Sequence, residues 1–176
     1  MIGVRCMVSA LLATWFCTGC GGGQQGAASI ETRPLEESRA LEIVARVVTG
    51  RGFQVTGPTK VDLGGEVWLE CDLGVAGERM VIEYLTEQDR RRSGDIPPPA
   101  PGSKLHVIPA RFEPSQPGLQ GDPTYVFVID DRKYVYHHNP TSDRRADVTL
   151  AEVEDRLRRD LIDFLTWYES TRADKD

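Results

Sequence analysis

"LECDLGVAGERMVIEYL", residues 69–85, alternates apolar and polar positions on both sides of a short turn of small residues. Val67, Leu69, Cys71 and Leu73 alternate with Glu66, Trp68, Glu70 and Asp72. Met80, Ile82 and Tyr84 alternate with Arg79, Val81, Glu83 and Leu85. Period two on both sides of "GVAG" predicts a β-hairpin with one face in the core. A turn centred on Val75 and Ala76 pairs Val67 with Tyr84, Leu69 with Ile82 and Cys71 with Met80. The same register sets Asp72 opposite Arg79 and Trp68 opposite Glu83, and a slip of one residue would lose both patterns.

Working outward, residues 34–49 read as a helix. Pro34 suits its first position. Glu36 and Glu37 suit the positive end of its dipole. Ala40, Leu41, Val44, Val47 and Val48 recur at helical spacing, and Gly50 supplies a cap. "FQVT" (53–56) and "KLHVIP" (104–109) are short strand candidates. "YVFVIDDRKYVYHH" (125–138) reads as a second hairpin turning near Asp131 and Arg132. Residues 150–170 are a helix with Thr149 as N-cap, Glu152 completing a capping box, and Val148 with Val153 as a hydrophobic staple. Leu150, Val153, Leu157, Leu161, Phe164, Leu165 and Tyr168 form its apolar stripe. Glu154–Arg158 and Asp155–Arg159 are placed as ion pairs on its outer face. Residues 90–103 and 110–123, rich in Pro and Gly, read as loops. The expected fold is α+β: a mostly antiparallel sheet of about five or six strands, including two β-hairpins, with an N-terminal helix and a long C-terminal helix.

The 176 residues suit one domain, with 40% apolar and 27% charged residues allowing an ordinary core. A net charge of −6 argues against nucleic acid as a partner, because phosphate binding needs a positive field.

The chain begins "MIGVRCMVSALLATWFCTGC". Arg5 precedes an apolar run over 6–16, too short to span a bilayer, and the run ends in small residues. This is the layout of a secretory signal peptide. "CTGC" (17–20) resembles a bacterial lipobox, with Thr18, Gly19 and Cys20 matching and Cys17 standing where Leu is usual. The resemblance implies cleavage before Cys20, acylation of its sulfur and amino group, and a stable lipid anchor. It also implies outer-membrane placement facing the periplasm, since Gly21 and not Asp follows Cys20. Cys71 then remains as the one cysteine outside the signal and the anchor. Residues 1–19 are thus expected as signal, 20–33 as a lipidated flexible tether of about 20 Å reach, and 34–172 as a single globular domain.

Asp72 and Glu83 are the candidate catalytic acids. A helix followed by strands bearing Asp and then Glu-x-Lys resembles the PD-(D/E)xK nuclease core, with Leu85 standing where the Lys belongs. His106, His137 and His138 are candidate metal ligands, although adjacent His137 and His138 point to opposite faces of a strand. Trp68 and the Arg90-Arg91-Arg92 run are candidate partner-binding groups, the arginines for an anionic headgroup or phosphate. Cys71 reads as a small core residue. The stretch from Val67 to Arg90 is also similar to a hairpin signature of uncharacterised exported bacterial proteins, roughly LDGYD…GFEY…EDR. Leu69, Asp72, Glu83, Tyr84 and Asp89-Arg90 carry it. No cofactor motif is present. The expected role is a non-enzymatic, lipid-anchored envelope module whose partners are the membrane and an envelope protein or polymer; a periplasmic hydrolase or metal-dependent enzyme is the alternative.

Overall fold

The computed structural model describes residues 31–64, 67–92, 96–112, 124–138 and 148–173. The chain enters through β1 (Thr32–Pro34) and α1 (Glu37–Gly50), then runs through β2 (Val55–Thr56), β3 (Thr59–Gly64), β4 (Val67–Cys71), β5 (Leu73–Val75) and β6 (Met80–Leu85). A short helix α2 (Glu87–Arg92) leads to β7 (Val107–Phe112) and β8 (Thr124–Asp130). A 3-10 turn over Asp131–Lys133, β9 (Val135–His137) and the long α3 (Leu150–Ala173) complete it. This is the expected α+β fold, with its sheet mostly antiparallel.

Two bent strands decide the architecture. β4 and β5 are one strand interrupted at Asp72, and β2 and β3 are one strand interrupted at Gly57-Pro58. They pair with each other on both sides of the bend, through Thr59↔Cys71 and Val61↔Leu69 on one side and Val55↔Val75 and Thr56↔Gly74 on the other. β5 pairs with β6, β6 runs parallel to β8, β8 pairs with β7, and β7 returns to β3. The sheet therefore closes into a ring of five strand segments. Its order, counting the bent strands once, is first-second-third-fifth-fourth-first, the connectivity of a Greek-key barrel of the OB type.

The two cores follow from that ring. Val61, Leu69, Cys71, Val81, Leu85, Ile108, Ala110, Val126 and Val128 fill the barrel interior. Met80, Ile82, Tyr84, Phe127 and Ile129 point outward beneath both helices and meet Ile43, Val44 and Val48 of α1 and Leu157, Leu161 and Phe164 of α3. Phe127 and Phe164 stack with centroids 4.4 Å apart. Each such fully buried side chain contributes about 1.5–3 kcal/mol, so the helix layer supplies much of the stability.

The period-two reading of residues 67–85 requires correction. It treated 67–73 as one flat strand. Leu69 and Cys71 face the barrel interior, while Leu73 and Val75 face the helices, because the strand bends at Asp72 and the alternation reverses across the bend. β6 pairs with β5 through Leu73↔Ile82 and Gly74↔Val81, whereas β4 pairs with β3. Trp68 is thus opposite Asp62, not Glu83. The second hairpin is also absent. β8 lies between β6 and β7, and β9 pairs with β1 in a separate two-stranded sheet. β8 is flanked on both sides and mostly buried, so its apolar run marks a central strand.

The helices were legible, with adjustments. α1 starts at Glu37, Pro34 belongs to β1, and the glycine with positive φ that ends α1 is Gly52 (φ 87°), whose N–H donates to the Thr49 carbonyl. Thr149 and Glu152 form the reciprocal cap of α3 as expected. Leu150 is exposed rather than buried. Glu154, expected on the solvated face, is buried and accepts from Arg39 of α1 and Arg158 of α3; the bond from Arg39 holds its carboxyl below the usual range. Arg90–Arg92, read as loop, belong to α2. "KLHVIP" marks the strand but precedes most of it: β7 starts at Val107 and takes in Ala110–Phe112, which were read as loop. Residues 1–30, including Cys20 and the signal and most of the tether expected there, and most of the 110–123 loop lie outside the described residues.

Gly74 makes the bend possible. It faces the interior where the two bent strands cross, and a Cβ there would fall on the hydroxyls of Thr56 and Thr59. Replacing Gly74 by Ala is expected to lower stability by about 1–3 kcal/mol, as overpacking does. Urea unfolding checks this, and an unchanged midpoint would contradict it.

Candidate functional site

Asp72 and Glu83 converge, but by a route the flat hairpin did not contain. The β5–β6 ladder ends at Leu73↔Ile82. The next main-chain donors, Asp72 N–H and Tyr84 N–H, would be left without partners inside the barrel wall. Each is taken by the other strand's carboxyl. Asp72 N–H donates to Glu83 Oε2 at 3.2 Å, and Tyr84 N–H donates to Asp72 Oδ2 at 2.7 Å. Glu83 is 2% exposed and sits on the interior face between Val81 and Leu85.

Burial first, then the Asp72 and Asp89 carboxylates, push the Glu83 carboxyl up to about 9. Burial also raises Asp72, against the pull of the Tyr84 N–H. Glu83 is therefore neutral at pH 7 and donates its proton to the Asp72 carboxylate, the side-chain bond that joins the pair. Burial, and then the same Asp72 and Asp89 carboxylates, raise Glu37 at the start of α1. Asp89 also caps α2: its N–H donates to Thr86 Oγ1 at 3.2 Å, and its carboxylate accepts from Thr86 N–H at 3.0 Å. Burial, then Glu83 and Asp72, hold Cys71 as a neutral thiol, far from the thiolate a nucleophile needs.

The other candidates are dispersed. His106 is buried just before β7, and its Nε2–H donates to the Pro97 carbonyl at 2.7 Å. Burial lowers its pKa, so the ring is neutral. His137 lies in the β1–β9 sheet, where its Nδ1 accepts from Val148 N–H at 3.1 Å. His138 follows it, exposed. Among the described residues no group of three or more His, Cys, Asp or Glu side chains is placed to hold a metal ion. Trp68 is 39% exposed with Lys60 Nζ 4.9 Å from its ring, and the other exposed large apolar side chains, Val135, Leu150 and Ile162, lie on β9 and α3. Among the described residues, no other exposed large apolar side chain lies on β3 or β4 beside Trp68. Arg91 pairs with Glu87 at 2.8 Å. Arg90 turns inward instead: Nη1 donates to the Leu85 carbonyl at 3.0 Å and to Asp130 at 3.1 Å, and Nη2 to Asp131 at 2.7 Å.

Two cavities open beside these groups, both at the C-terminal ends of the parallel strands β6 and β8, where Leu85 stands opposite Asp130. One, of about 440 Å³, lies between β1, the start of α1 and the start of α2, and is lined by Glu36, Glu37, Tyr84, Glu87 and Asp131 among others. The other, of about 310 Å³, is lined by Leu85, Arg90, Ile96, Pro98, Pro99, His106, Asp130, Arg132 and Lys133. Neither includes Asp72 or Glu83 in its lining. The outer face of the second and third strands, through which OB-type barrels bind oligonucleotides and oligosaccharides, is covered here over β5 and β6 by α1 and α3.

Sequence reading misses Asp130, Asp131, Arg132 and Lys133, because "DDRK" reads as a hairpin turn. The available signal was the uninterrupted apolar run before it, which marks a flanked strand and places its C-terminal end at a site position. No protein-family model, curated protein or solved structure matches this chain.

The Glu83 carboxyl couples stability to pH. Its native pKa lies above its unfolded value, so the native state holds a proton that the unfolded chain releases. Its stabilising contribution is present below about pH 4.5 and is lost as pH rises towards about 9. Gln reproduces the neutral acid, accepting from Asp72 N–H and donating to the Asp72 carboxylate. Glu83→Gln is expected to match the wild type near pH 5 and to melt several degrees higher at pH 8. Melting curves from pH 5 to 9 that run parallel for the two proteins would refute the assignment.

Proposed function

We propose that this chain is an exported lipoprotein, anchored through Cys20 to the outer membrane and facing the periplasm, whose barrel domain is a non-enzymatic binding module. The observation that carries the non-enzymatic reading is the use made of Asp72 and Glu83. Their carboxyls accept main-chain amides, hydrogen-bond each other and line neither cavity. An acid that activates water must reach it, and Glu83 is enclosed. Neither cavity pairs a nucleophile with a base. What the barrel offers instead is an open, charged recess at one end, suited to recognition.

Anchoring is supported by the "CTGC" stretch, which resembles a lipobox. Radiolabelled palmitate fed to cells expressing the full chain is expected to label the wild type and not Cys20→Ala, which should move to the soluble fraction. Label retained in Cys20→Ala would overturn the anchor. Metal analysis of the full chain purified in detergent addresses the enzymatic alternative: no stoichiometric divalent metal is expected to survive dialysis, and one equivalent retained in the wild type but lost in an Asp72→Asn, Glu83→Gln double variant would favour a metal-dependent enzyme.

A further inference from the structure

The 310 Å³ recess has an unbalanced charge. Its lining cations are Arg90, Arg132 and Lys133, and its one lining carboxylate is Asp130. Arg90 is spent on Asp130, Asp131 and the Leu85 carbonyl. Arg132 directs Nε and Nη2 to Asp130, leaving Nη1. Outside the lining, Glu87 offsets Arg91. The two arginines and the two aspartates cancel, and the remaining charge is the Lys133 ammonium, which makes no hydrogen bond or ion pair among the described residues. Lys133 acts electrostatically on His106, whose Nε2–H is fixed on the Pro97 carbonyl, so Nδ1 remains an acceptor. Leu85, Ile96, Pro98 and Pro99 supply an apolar wall beside these polar groups. A concave site with a mostly apolar wall and a few convergent polar groups is the usual form of a small-molecule pocket, and this volume lies at the small end of the range.

We infer that this recess binds a small organic carboxylate: a single negative charge received by Lys133 and Arg132 Nη1, carried on a short apolar body that lies against Ile96, Pro98 and Pro99. One net positive charge matches a monoanion. The Asp130 carboxylate in the same lining repels a phosphate dianion. The prolines hold the wall at low entropic cost, because their φ angles are fixed before binding. The inference rests on the binding-module reading and gives it a ligand class.

The test uses the full chain with Cys20→Ala, labelled with ¹⁵N-histidine, so that three imidazoles report. N-acetylalanine is the probe, with N-acetylalanine amide and inorganic phosphate as comparisons. N-acetylalanine is expected to shift the His106 signals saturably, with a Kd of about 1 mM for a ligand of this size. The amide should leave them unmoved, and phosphate should bind at least tenfold more weakly. Lys133→Gln should weaken the shift at least tenfold, while Lys104→Gln, an exposed lysine outside the recess, should not. Equal response to acid and amide, a stronger response to phosphate, or His137 and His138 moving in step with His106 would each overturn the assignment. Because the titrated chain carries no anchor, failure here is separable from failure of the lipoprotein reading, and metal retention separates it from failure of the non-enzymatic one.

Discussion

The barrel depends on an exchange of two hydrogen bonds at Asp72. A sheet closes into a ring only if some strands turn a corner, and a corner breaks the ladder. Here both strands of one ribbon bend together, at Gly57-Pro58 and at Asp72, and pairing resumes beyond the bend in matching steps. The cost falls on the neighbouring strand β6, whose partner veers away after Leu73. Asp72 and Glu83 repair that edge by lending their carboxyls to each other's backbone. An ionised glutamate inside a barrel would carry a heavy desolvation penalty, and a neutral one sharing its proton with Asp72 avoids most of it.

The same geometry gives a pair that looks catalytic in sequence a role in the fold. Converging carboxyls with displaced pKa values are a common mark of an active site, yet structural pairs produce the same signature. The distinction lies in what else the acids touch. In this barrel they touch amides and each other, with Cys71 held as a thiol beside them. The charged groups that line the two described cavities are at the end of the strands. There the parallel pair β6–β8 finishes at Leu85 and Asp130, and Arg90 of α2 reaches back to tie both strand ends together.

Local patterns were readable where they repeat without interruption. The caps and stripe of α3 survive because helical periodicity, a Thr-x-x-Glu box and a staple all agree. The register of residues 67–85 was not readable, because period two carries no mark of a bend and Leu69, Cys71 and Leu73 look alike on paper. Gly74 was the available hint: a glycine within a strand often marks a bend or a close approach. Glu83, set opposite Trp68 by the flat hairpin, is the residue that the bend requires. Glu154 shows a comparable limit in the helix. Its spacing to Arg158 suited a solvated ion pair, but the docking of α1, which brings Arg39 to it, is a long-range event that no local window contains.

The position of the recess follows from these constraints. α1 and α3 cover the outer side of β5, β6 and β8, and side chains fill the barrel interior. Both described cavities lie at one end of the barrel. At the C-terminal end of β6 and β8 the backbone leaves the sheet in two directions, through α2 on one side and the 3-10 turn on the other. Divergence of adjacent parallel strands opens a crevice there, as at the switch points of open α/β sheets. The chain also enters the domain at this end, since Arg33 and Pro34 of β1 line the neighbouring cavity. An anchor at Cys20 would therefore join the barrel at the end that carries its open charge, so the tether's length would set how far the recess stands from the lipid headgroups.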